Sequence, residues 1–259
     1  MEKISLVIIT YNEEKNIERC LSSAIGVVDE IVVVDSFSTD KTEEICCSFN
    51  VRFIKHEFEG HIEQKNWAVA QATYSNILSL DADEALSDEL KKSILSVKNN
   101  WDCDGYYFNR RTNYCGKWIN HTGWYPDRKL RMWKAGKGKW AGMNPHDKFE
   151  LANGTNKKFL KGDLLHYSYH SISQHIQQVN TFTGIIAEEN YKKGKTTNIL
   201  KIIFHPIWKF KHDYILKLGF LDGYYGFVIS IISSFATFSK NIKLKELIKN
   251  KYNKTAGNN

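Results

Sequence analysis

The chain has 259 residues, 42% of them hydrophobic and 25% charged, with a formal net charge of +7 at pH 7. That length and balance suffice for a sizeable core and exclude a disordered or fibrous chain. The positive charge lies at one end: six lysines against one glutamate from Lys240 to Lys254 leave +5, residues 199–239 add +2, and residues 1–198 sum to zero. A neutral body with a basic, aromatic-rich end points to an anionic membrane surface and away from nucleic acid. The cysteines Cys20, Cys46, Cys47, Cys103 and Cys115 are odd in number and lack paired Cys-x-x-Cys spacing, which argues against a disulfide framework or a zinc site and for reduced structural thiols. Met1-Glu2-Lys3 precedes only a brief apolar run, Ile4 to Ile9. It is too short for a secretory core, so the protein is expected in the cytoplasm.

In chain order, residues 4–98 alternate strand and helix patterns, which predicts a parallel sheet with right-handed crossovers. Ser5 to Thr10 is the first strand, and Asn12 is placed to cap a helix from Glu13 to Ala24 whose Ile17, Cys20, Leu21 and Ala24 share a face. Glu30 to Val34 is the second strand, ending at Asp35 before a turn rich in capping residues and a helix to about Ser48. Val51 to His56 predicts a third strand, His61 to Tyr74 a helix, Ile77 to Leu80 a fourth strand and Ser87 to Val97 a helix.

The fourth strand empties into Asp81-Ala82-Asp83-Glu84. Alternate residues of an extended segment point the same way, so Asp81 and Asp83 can share one oxygen-seeking divalent ion and, through it, a diphosphate. The plainer alternative is an acidic strand end before a helix, with Asp83, Glu84 or Ser87 as cap or dipole partner. Strands one, two and four all end in polar clusters, as a nucleotide pocket on one rim of an open α/β sheet requires.

Thr10-Tyr11-Asn12-Glu13, Val32 to Thr42, Gln64-Lys65-Asn66-Trp67-Ala68 and Asp81-Ala82-Asp83-Glu84 together resemble family 2 glycosyltransferases of the GT-A fold. More narrowly, they resemble the bacterial enzymes that add a sugar to the lipopolysaccharide or lipooligosaccharide core, over essentially residues 4–235. The resemblance implies a GT-A, mostly parallel sheet with helices on both faces. It implies that Thr10, Tyr11, Asn12, Glu13 and Asp35 line the nucleoside pocket, with Lys65 and Asn66 near the base or ribose and Asp81, Ala82 and Arg131 on the nucleotide sugar. Asp83, Asp81 and His166 would hold Mg²⁺ or Mn²⁺. Where relatives carry His-Glu after a tryptophan and a glycine, this chain has His146-Asp147 after Trp140 and Gly142. Asp147 would be the general base, with His146 beside it and Glu150 as the fallback. Relatives often have two acidic residues where this chain has Asp35-Ser36, a departure at the base contact.

From Trp101 to Trp140 the pattern changes to short, aromatic-rich strands; Trp133 is expected in the core, and Trp124 is left open between core and sugar stacking. Ser171 to Lys193 predicts a helix stopped by Gly194. Pro206 is expected to divide 199–210 into two amphipathic pieces, and the uncharged run from Gly223 to Ser239 falls short of a membrane span, which suggests an interfacial anchor. The expected organisation is a catalytic domain over 1–198, with a nucleotide-binding half at 1–98 and an acceptor-side half at 99–198, followed by a basic helical region at 199–259. The function implied is inverting transfer of a hexose, glucose first, from a UDP-sugar to a glycolipid acceptor at the inner face of the cytoplasmic membrane. A sugar nucleotidyltransferase is the alternative, but Thr10 to Lys15 contains no glycine for its phosphate loop. A non-catalytic sugar-binding relative is the third class.

Overall fold

The computed structural model describes residues 1–143 and 146–256, with side chains for all of these but Met143, His146 and 251–256. By contact the chain falls into two units, Met1–Arg111 with Pro126–Tyr167, and Thr112–Tyr125 with Ser168–Asn259. This division differs from the boundary drawn at residue 198, because the helix before it groups with the C-terminal helices.

In the first unit, β1 (Ile4–Thr10), β2 (Glu30–Asp35), β3 (Arg52–Lys55) and β4 (Asn76–Asp81) form the parallel part of a sheet. The sheet continues through β8 (Asp127–Lys134) and β6 (Gly105–Tyr114), foreseen only as short and aromatic-rich, then β11 (Lys157–Tyr169) and β5 (Glu84–Leu86), in the order β3-β2-β1-β4-β8-β6-β11-β5 with β7 (Lys117–Trp118) paired to β6. Strand alternation sends side chains to two cores. Ile4, Leu6 and Ile8 pack with Cys20 and Leu21 of α1 (Ile17–Ala24), Cys46 of α2 (Thr42–Cys47), and Leu90 and Ile94 of α4 (Asp88–Asn99). Val7, Val32 and Ile77 pack on the other side with Ala68 of α3 (His61–Ala70), Trp133 and Phe149. The expected α/β sheet covered on both faces is therefore present, and Trp133 is fully buried as foreseen. All five cysteines are free.

Three local expectations are corrected. The first helix starts at Ile17 and not at Glu13. Asn12 adopts φ 55, a left-handed conformation that asparagine tolerates, and its amide oxygen accepts from Thr39 N–H at 2.8 Å instead of capping. Glu84 does not start a helix; it opens β5, which pairs antiparallel with β11, and Ser87 caps α4 by accepting from Leu90 N–H at 3.3 Å.

In the second unit, α5 (Ile172–Lys192) begins at the Ser171 cap and ends at Gly194, whose φ of 68 suits glycine. Residues 199–210 form one helix, α6 (Ile199–Lys211), and not two pieces. Pro206 lies on its buried side, and its carbonyl accepts from Ser234 Oγ at 2.8 Å, so packing on α7 (Gly223–Ala256) holds the helix continuous past the missing N–H. Tyr114, Ile119 and Ile229 form this unit's small core, flanked by Trp124, Tyr169 and Tyr225. Trp124 belongs to that cluster, 5.8 Å from the Tyr114 ring centroid.

Gly162 is held at φ +97, and a Cβ there would lie 2.2 Å from the Leu90 backbone nitrogen. Gly162→Ala is expected to lower stability by about 2–4 kcal/mol, and urea unfolding checks it; an unchanged midpoint would mean that β11 and α4 separate without cost.

Candidate active site

Five backbone segments of the first unit deliver charged side chains to one place. Asp81 ends β4, Glu84 opens β5, Lys65 lies on α3, Arg131 on β8, and Asp147 on β10 (His146–Leu151), which pairs with β9 (Gly138–Met143). Lys65, only 5% exposed, puts its Nζ 2.7 Å from Asp81 Oδ1 and 2.7 Å from Asp147 Oδ2. Arg131, 4% exposed, places Nη2 2.5 Å from Asp81 Oδ2 and 2.8 Å from Glu84 Oε1. Arg110 extends the chain of charges to Asp127 at 2.8 Å, with Glu84 at 3.5 Å. Trp140 lies against both central cations, its ring centroid 4.4 Å from Lys65 Nζ and 5.3 Å from Arg131 Cζ.

These pairings set the protonation of the site. Burial alone would raise the Asp81 carboxyl, but Arg131 and Lys65 outweigh it and hold Asp81 well below the usual carboxylate range. Burial likewise opposes ionisation of Asp83, yet His166, whose Nε2 is 3.1 Å from Asp83 Oδ2, keeps that carboxyl lowered. Glu13 is shifted upward by burial and by the nearby Asp83, Asp40 and Asp81, against the hydrogen bond from Asn16.

The structure sorts the sequence-derived residues into groups. Asp81, Lys65, Arg131 and Asp147 meet in one network. Lys65 and Asn66 hold protein groups: the Asn66 amide donates to Trp140 O and accepts from Trp140 N–H, both at 3.0 Å. That two-point clamp fixes β9, and Lys65 fixes Asp147 on β10. Asp83 and His166 form a pair of their own, while Asp81 is engaged by Lys65 and Arg131. Ala82 packs in the core. At the ends of β1 and β2, Asp35 is buried and accepts from Ser38 N–H at 2.8 Å, and Asn12 N–H donates to Ser38 Oγ at 2.8 Å. Thr10 Oγ1 is buried without a hydrogen-bond partner, and Tyr11 is 59% exposed beside it in sequence. The His146 side chain lies outside the described residues.

Sequence reasoning missed Glu84 and Arg110. Glu84 was read as a helix start because β5 is only three residues long and gives no periodic signal, yet it is 1% exposed and balances two arginines. Arg110 carried no motif. Its relevance arises from β6 lying beside β8, where Arg110 and Asp127 are in register.

A chain with carboxylates at strand ends of a sheet covered on both faces, next to buried cations suited to anionic groups, has the parts of a nucleotide-sugar site. The family described as Glycosyl transferase family 2 matches residues 5–161. This chain belongs to that family. An uncharacterised glycosyltransferase of Rickettsia typhi is 30% identical over 269 residues, covering 100% of this chain and 92% of the relative. The lipopolysaccharide core biosynthesis glycosyltransferase LpsC of Rhizobium meliloti is 27% identical over 228 residues, covering 85% of this chain and 82% of LpsC. The crystal structure of S. aureus TarS is similar with a TM-score of 0.48 at 15% identity, over 88% of this chain and 55% of TarS. The glycosyltransferase therefore shares nearly the full length of its Rickettsia relative.

Two outcomes test the network. Asp81 has a depressed folded-state pKa, so its contribution to stability is complete above the ordinary carboxyl value of about 4 and is lost as pH falls through the lower folded value. Urea unfolding between about pH 5 and pH 2 should show this loss, with a flatter profile for Asp81→Asn. Lys65→Met leaves Asp147 without its ammonium and Asp81 with Arg131 alone, and should cost about 3 kcal/mol. Combined with Asp147→Asn the loss should be less than the sum of the single losses, and strict additivity would show that the 2.7 Å contact carries no coupling.

Proposed function

We propose that this glycosyltransferase transfers a hexose, glucose first among them, with inversion from a UDP-sugar to a lipopolysaccharide or lipooligosaccharide core or a related glycolipid at the inner face of the cytoplasmic membrane. The observation that carries the reading is Lys65. One ammonium touches Asp81 and Asp147 at 2.7 Å each, so the donor-side carboxylate and the proposed base flank a single point. The LpsC relative supports the class of acceptor.

On the donor side, the buried, unpartnered Thr10 Oγ1 is a hydroxyl suited to a nucleoside, with Tyr11, Asn12, Glu13 and Asp35 around the same strand ends. Arg131 offers two buried nitrogens, Nε and Nη1, without hydrogen-bond partners, as an anionic diphosphate would need. Asp83 and His166 fit a divalent ion through one carboxylate oxygen and one imidazole nitrogen that already approach to 3.1 Å. Among the described residues no third His, Cys, Asp or Glu joins them as a metal-binding group, so Mg²⁺ or Mn²⁺ would take its other ligands from diphosphate and water. When bound, that ion supplies positive charge beside the leaving diphosphate.

On the acceptor side, Asp147 accepts the proton of the attacking hydroxyl, while Lys65 and the Asn66 clamp on Trp140 orient its strand. The hydroxyl oxygen forms the new bond to the anomeric carbon as the bond to UDP breaks from the opposite side. The proton passes to the carboxylate and the electron pair leaves on the diphosphate, with no covalent enzyme intermediate.

Asp147→Asn should retain UDP-sugar binding by calorimetry and lower transfer by about 10²-fold or more; retained transfer moves the base elsewhere. Asp83→Ala should abolish the metal dependence of UDP release, measured across a panel of nucleotide sugars with and without chelator. Full turnover in excess chelator would remove the metal from the scheme.

A further inference from the structure

Helix α7 is inside out. Along its first five turns the large apolar side chains Tyr224, Phe227, Ile231, Phe235, Phe238 and Ile242 recur at three- and four-residue spacing and are all at least 38% exposed. The inward positions instead hold Gly226, Ser230, Ser239 and Asn241 beside Ile229 and Ile232. A helix of a water-soluble domain turns its apolar stripe inward. α6 repeats the inversion: Ile199, Leu200, Ile203, Phe204, Ile207 and Trp208 are 48–61% exposed, whereas Ile202 and Pro206 are buried. Between the helices, Ile215, Leu216, Leu218, Phe220 and Leu221 are exposed as well.

Three polar side chains of this hairpin are satisfied internally. Ser230 Oγ donates to Gly226 O at 2.7 Å, Asn241 Nδ2 to Thr237 O at 2.7 Å and Ser234 Oγ to Pro206 O at 2.8 Å. That arrangement allows the outer stripes to leave water without stranding a donor. Gly226 makes the fold of the hairpin possible, since a Cβ there would lie 1.9 Å from Gly219 O.

We propose that α6, the connecting turn and α7 form a docking face for an anionic lipid bilayer, lying in the plane of its interface. Contrary to the sequence expectation, α7 is long and apolar enough by length and composition to cross a membrane, so packing decides the mode: one side of α7 is covered by α5 and α6 while its large apolar side chains face outward, as a helix lying in the interface requires. Charge decides the lipid: residues 199–239 carry +2 and Lys240 to Lys254 carry +5, on a chain whose residues 1–198 are neutral. The exposed Phe, Ile and Trp side chains sit below the headgroups and the lysines meet the phosphates. The face deepens the glycolipid-acceptor reading and rests on it only for its purpose, because bilayer binding needs neither donor nor acceptor.

The test is flotation of the full chain with vesicles of phosphatidylcholine alone or with about one-third phosphatidylglycerol. Strong flotation with the anionic vesicles is expected, with Trp208 quenched by lipid brominated near the headgroup, read against Trp208→Phe. Phe204→Ser with Phe235→Ser should lower partitioning at least tenfold at unchanged circular dichroism. Lys240→Gln, Lys245→Gln and Lys249→Gln together should remove the preference for anionic lipid. The proposal is overturned if the chain does not float, if the serine variant floats as well as the parent, if Trp208 is quenched only from the bilayer centre, or if light scattering shows a dimer that the serine variant dissolves and vesicles do not. UDP release by the same protein in detergent separates failure of this face from failure of the enzymatic reading.

Discussion

The buried ammonium of Lys65 is the contact on which the geometry of the site depends. An isolated cation at 5% exposure would be costly to desolvate, and two carboxylates alone at its position would repel. Together, Asp81, Lys65 and Asp147 satisfy each other across three chain segments distant in sequence, with the Trp140 face completing the cage. Because α3 is also fastened to β9 through Asn66, the strand carrying Asp147 is positioned by the helix that packs on the parallel sheet. Asp81 and Asp147 are thereby linked through one side chain.

Around that point the charges alternate in a line: Asp147, Lys65, Asp81, Arg131, Glu84, Arg110, Asp127. Such a line tolerates burial because each charge has an opposite neighbour, and it keeps Asp81 ionised against desolvation. Within that line Arg131 retains two buried nitrogens, Nε and Nη1, without hydrogen-bond partners. Asp83 pairs instead with His166, which divides the two aspartates of Asp81-Ala82-Asp83 between different partners.

The second unit obeys a different rule. Its small core is aromatic, built on Tyr114, Trp124, Tyr169 and Tyr225, and a buried His175 whose Nδ1 lies 2.9 Å from Tyr114 Oη is pushed down to about 4 by desolvation. The apolar area of α6 and α7 that this core does not cover is the feature a water-soluble surface would avoid.

Much was legible from the sequence because it is written in local pattern. The parallel strands announce themselves as apolar runs ending in polar clusters, the Asp81-Ala82-Asp83 segment as a strand end, α5 by its Ser171 and Gly194 boundaries, and the lysine-rich end by composition. What tertiary structure decided are the pairings that no local pattern encodes: that Lys65 joins Asp81 to Asp147 and Asn66 clamps the Trp140 backbone, that Glu84 balances Arg131 and Arg110, that Asn12 bridges to Thr39 in place of capping a helix, and that Pro206 is accommodated within one helix. Each depends on which segments the sheet and its cover bring within hydrogen-bond reach. The sequence determined by itself which residues carry charge and where strands end. Folding decided which charge faces which, because a buried ion can persist only beside its opposite.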